Sequence, residues 1–68
     1  MVTSIYTADV KLNKTDKDFH RMIMIYSPDE GVLFVNRGLY VISFESLEAL
    51  ATSDVEVKDK RRIGDINL

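Results

Sequence analysis

Polar and apolar side chains alternate from Ser4 to Leu12, with Tyr6, Ala8, Val10 and Leu12 on one side and Thr7, Asp9 and Lys11 on the other. That period of two is the mark of a half-buried β-strand. The run Asn13–Asp18 that follows is polar throughout and reads as a solvated loop or a single helical turn. Phe19–Tyr26 returns to strand character, but its centre, Met22 to Ile25, is apolar at odd and even positions alike.

The same two-sided pattern fills Gly31–Phe44, where Arg37 is the one charge in fourteen residues. Two turns punctuate it. In Ser27–Gly31 the ring of Pro28 presets a backbone angle and Gly31 tolerates a positive φ at the exit, which predicts a hairpin. In Asn36–Gly38, Gly38 suits the left-handed position of a three-residue loop. That loop places Leu33, Val35, Leu39, Val41 and Ser43 on one face and Val32, Phe34, Tyr40, Ile42 and Phe44 on the other. A two-residue loop would reassign the pairs yet leave both faces apolar.

After the hairpin, Ser46 suits an N-cap, Glu48 the first turn, and Leu47, Leu50 and Ala51 fall at helical spacing, so one short helix is expected over residues 46–53. A helix of about two turns does not stand alone in water and must lie on the sheet, most naturally over Phe34, Tyr40 and Ile42. Residues 54–58 alternate and suit a fifth strand, and residues 59–68 read as a solvated end, with flexibility over 61–68. The expected fold is α+β: one domain over 1–68, a small antiparallel sheet of four to five strands with one short helix. The alternative is a small SH3-like β-barrel.

The size of the chain sharpens the question of the second apolar face. A protein of 7.8 kDa hides only about 60% of its unfolded surface on folding. Chains this small usually add disulfides, a metal or a partner subunit, and here there is no cysteine and one histidine. The helix covers one face of the hairpin. The other calls for a curled sheet, a second copy of the chain or a different protein.

Charge separates the chain into three blocks. The net is +1 over residues 1–26, −5 over 27–57 and +2 over 58–68, giving −2 overall and a pI near 5.2. The acidic middle block would repel nucleic acid or imitate it toward a basic partner. Lys58, Lys60, Arg61 and Arg62 form the one basic cluster, the alternative contact for nucleic acid if a tyrosine stacks nearby.

Catalytic signals are sparse. His20 is the lone imidazole and points away from its strand neighbours, as a surface or edge histidine does. Asn13, Asp16 and Asp18 are interleaved with lysines and lack the glycine of a calcium loop. The serines have no nucleophile signature and the three glycines form no phosphate loop. The chain therefore reads as a non-enzymatic protein-binding module without cofactor or metal, a homodimer acting as a small adaptor or inhibitor of a larger protein, as accessory proteins of phages and mobile elements do. The expected interface is Met22, Met24, Leu33, Val35, Leu39 and Val41. The absence of cysteine, of a leader-like start and of a long apolar run predicts a cytoplasmic location with no membrane partner.

Overall fold

The alternating start folds as strand β1, Val2–Lys11, antiparallel to β2, His20–Ser27, in a computed structural model that describes residues 2–67. The polar loop between them serves its own backbone. The Asn13 side-chain oxygen accepts from the amides of Thr15 at 2.9 Å and Asp16 at 3.1 Å, and the Asp16 carboxylate accepts from the Leu12 amide at 3.2 Å. These acceptors close a turn that no regular element could satisfy.

Strand β3, Gly31–Asn36, follows β2, and β4, Leu39–Phe44, follows β3, each antiparallel to its predecessor. After the short helix α1, Leu47–Ala51, strand β5, Glu56–Asn67, returns to pair antiparallel with β1. The sheet runs β4-β3-β2-β1-β5. It is a small antiparallel sheet of five strands with one very short helix.

One side of the sheet is the core. Ala8 and Val10 of β1, Met22 and Met24 of β2, and Val32 and Phe34 of β3 are buried there, with Tyr6, Tyr26, Ile42, Phe44, Leu50, Val55 and Val57 packed around them. The Phe34 and Phe44 rings meet edge to face at 6.4 Å, the arrangement their quadrupoles favour. This is the inner face.

The β3–β4 turn departs from the three-residue loop expected of Asn36–Gly38. Asn36 pairs with Leu39, and Arg37 and Gly38 both take positive φ, 54° and 79°. Two left-handed residues make the tight hairpin turn whose twist matches that of the strands. Continued strictly, its register would turn Ser43 inward and Ile42 outward. The ladder instead shifts by one residue between Phe34 and Val35, so that Val35 faces Tyr40 and Phe34 faces Ile42. Val41 is the extra residue of this bulge, and it packs against the core. Burial of Ile42 and Phe44 outweighs a regular ladder. Tyr40 and Val41 therefore exchange the faces expected for them.

Gly31 is required for a steric reason. It is buried at φ +97°, and a Cβ there would lie 2.1 Å from the Phe44 carbonyl oxygen and 2.7 Å from that of Glu45. The start of β3 thus passes directly against the end of β4.

Ser46 caps α1 as expected, its hydroxyl accepting from the Ala49 amide at 3.1 Å, but the helix has five residues. It lies by β3 and β4 and packs Leu50 on the core, while Leu47 is 40% exposed. One turn presents one side chain downward.

β5 is the larger departure. Of the expected solvated end, residues 59–66 are solvent-exposed, yet the strand continues to Asn67; Leu68, the last residue of that expectation, lies outside the described residues. Its register shifts twice against β1, leaving Ile63 extra and fitting Asp59 and Lys60 opposite Ala8, with Asp59 at φ 51°. Backbone pairing holds this edge, and its lysines and arginines are the charges that edge strands carry against unwanted pairing.

Two substitutions test the turns. Gly31→Ala is expected to cost at least about 3 kcal/mol, against about 1 kcal/mol for Gly38→Ala, which has positive φ but open space around it. Urea denaturation of both variants measures the difference. Arg37→Asn should raise stability by roughly 0.5–1 kcal/mol on the same assay, because Asn enters the left-handed region more readily.

Candidate docking surface

Period-two alternation makes the other face of the same strands as apolar as the core. Ile5 of β1, Ile23 and Ile25 of β2, and Leu33 and Val35 of β3 have the opposite parity to the core residues and are half-buried. They form two adjacent rungs: Ile5, Ile25, Leu33 and Ser43 in one, Thr7, Ile23, Val35 and Tyr40 in the next. The helix gives no cover here, since its Leu50 packs on the inner side. The closure expected of a barrel is not formed among the described residues: β4 and β5 are the two edges of the sheet and do not pair with each other.

The ends of this outer face differ in charge. Beyond one end His20, Arg21, Asn36 and Arg37 surround an open basin of about 610 Å³; Arg21 has the parity of the outer face, while His20, opposite the buried Val10, and Asn36, two residues from Phe34, have that of the inner face. Arg21 holds Asp9 at 3.2 Å across the β1–β2 ladder, whereas Arg37 has no carboxylate within 4 Å among the described residues. At the opposite end a recess of about 220 Å³ is lined by Thr3, Ile25, Ser27, Glu30, Leu33 and Ser43, with Gly31 contributing no side chain. Asp29 and Glu30 in the β2–β3 turn and Glu45 after β4 make that end acidic. Tyr40 rises from the surface at 66% exposure.

The interface residues expected from sequence divide between the two faces. Leu33 and Val35 lie on the outer face, and Leu39 is 71% exposed at the hairpin tip. Met22 and Met24 are 4% and 2% exposed in the core, and Val41 packs on it. The thioethers fill the space beneath Phe34 and are not at a surface. Ile5, Ile23, Ile25 and Tyr40 take their place outside. The signal for the isoleucines was present in the run His20–Ser27, where they occupy the alternate positions to the methionines.

Members of the basic cluster are engaged within the chain. The Lys58 ammonium sits 4.1 Å from the Phe19 ring centroid, which Lys11 approaches to 5.2 Å, and Lys60 is 5.0 Å from that of Tyr6. Arg62 is paired with Asp65, whose hydrogen bond and charge raise the guanidinium above its ordinary pKa. Arg61 stands opposite Thr7. Among the described residues no group of three or more His, Asp or Glu gathers as a metal site, and no helix is long and apolar enough to cross a membrane.

Comparison with protein-family models, with curated proteins and with solved structures gives no match.

Proposed function

We infer that the chain is a non-enzymatic protein-binding module, a small adaptor or inhibitor whose working surface is the outer sheet face. The observation that carries this reading is the pair of aliphatic rungs on Ile5, Ile23, Ile25, Leu33 and Val35, which no element of the chain covers. A contiguous apolar patch on so small a domain is an interaction surface by its physical chemistry, because docking removes from water what folding left exposed. Charged groups at both ends of the patch supply orientation, and the aliphatic centre supplies affinity.

The nucleic-acid reading has weaker support. Lysines of the chain itself sit over the rings of Tyr6 and Phe19 on which bases would stack, and Arg62 is committed to Asp65. Stacking platforms that bind single strands need open aromatic faces.

Affinity capture from a cognate lysate, with and without nuclease, tests the choice. The wild-type chain should retain a protein through nuclease treatment. Ile23→Lys and Val35→Lys should each weaken retention at least about tenfold, since an ammonium must be desolvated at the centre of the contact, while changing stability by less than about 1 kcal/mol. Replacing Lys58, Lys60, Arg61 and Arg62 by Gln should leave retention intact. Retention that depends on the four basic residues and disappears with nuclease would transfer the function to them.

A further inference from the structure

We propose that the outer face docks on a second copy of the same chain, sheet to sheet with strand directions reversed. The inference rests on the binding-module reading and names the partner for the same surface.

The argument starts from the central rung, Tyr6, Met24, Phe34 and Ile42, which runs straight across β1 to β4 and turns its side chains inward. The two outward rungs flank it on either side. A twofold axis laid along the central rung, above the outer face, exchanges them. Ile25 then lies over Ile23 of the second copy, and Leu33 over Val35. Ile23, Ile25, Leu33 and Val35 each meet an aliphatic side chain and Ile5 comes over Thr7, at the roughly 10 Å spacing of stacked sheets. This is the isologous arrangement that a twofold contact demands, one patch complementary to itself.

The same axis brings unlike ends together. Arg37, just beyond the end of β3, comes opposite Glu30, just before its start, and the contact occurs twice. The acidic end has Asp29 and Glu45 in support, and the basic end has Arg21, itself paired with Asp9. Parallel strands would instead set acidic end on acidic end. Charge therefore selects the reversed orientation.

Tyr40 and Ser43 occupy equivalent places in the two exchanged rungs, so each Tyr40–Ser43 pair, whose hydroxyls lie 3.4 Å apart within one chain, faces the same pair of the second copy. The chain also exposes 4800 Å², against roughly 4,400 Å² for a compact monomer of its mass.

Charge reversal tests orientation and partner together. Sedimentation equilibrium should give twice the 7.8 kDa chain mass for the wild type at micromolar concentration. Arg37→Glu and Glu30→Arg should each weaken self-association roughly ten- to a hundredfold, because each converts two attractive contacts into two repulsive ones. An equimolar mixture of the two variants should recover the dimer, since every contact in the mixed pair is again of opposite sign. Circular dichroism checks that each variant is folded, and the mixture rescues only folded chains.

A wild-type monomer at high micromolar concentration would overturn the proposal, and so would a dimer that neither single variant weakens or that the mixture fails to restore. A monomer whose capture of another protein still depends on Ile23 would overturn the second copy as partner and leave the binding surface standing. A chain whose dimerisation and capture are both indifferent to Ile23→Lys would remove both.

Discussion

Phe34 stands at zero exposure in the middle of the middle strand of the β2–β4 hairpins, and the parity of its neighbours follows from that burial. A strand offers two faces at a period of two residues, so fixing Phe34 inward fixes Leu33 and Val35 outward. Through the ladder it also fixes Met24 inward and Ile23 and Ile25 outward. The one place where parity would fail is β4, and there a bulge at Val41 restores it. The free energy of burying Ile42 and Phe44 exceeds the cost of a broken ladder. Gly31 completes the constraint by letting the start of β3 pass against the end of β4 with no side chain between them.

This division accounts for a chain that is apolar on both sides of its hairpins. The inner side receives the helix through Leu50, and Val55 and Val57 pack beside it. A five-residue helix and one sheet have only enough material for one core. The outer side is left with two aliphatic rungs between an acidic turn and a basic one. The branched side chains of these rungs are half-buried, and docking removes what exposure remains. In the proposed docking, affinity and orientation would reside in different residues of the same surface: the isoleucines, leucine and valine at its centre, and Glu30 and Arg37 at its ends.

Much of this was legible in the sequence, and its failures are instructive. The alternation from Ser4 to Leu12, the turn at Ser27–Gly31 and the cap at Ser46 each have a local physical cause, and each appears where that cause puts it. The hairpin faces were read one residue out of phase at Tyr40 and Val41, because glycine at position 38 suits a three-residue loop and nothing local reveals that Arg37 would also turn left-handed. Both loops bury Ile42 and Phe44; the two-residue turn with its bulge differs in turning Val41 inward and Tyr40 outward. Met22 and Met24 belong to a run that is apolar at every position, so nothing local distinguishes their face from that of the isoleucines, and the parity that Phe34 imposes across the ladder decides it. The strand from Glu56 to Asn67 was hidden by its own charges. Its pairing is made by backbone groups, and side-chain patterning reports burial that an edge strand does not have.

The central claim is that one face of a single sheet is core and the other is contact surface. Methyl-resolved NMR over a concentration series, from low micromolar to millimolar, tests it most directly. The account predicts that the methyl resonances of Ile5, Ile23, Ile25, Leu33 and Val35 move with protein concentration, while those of Ala8, Val10 and Val32 stay in place. Shifts confined to the inner set, or to neither set, would contradict it.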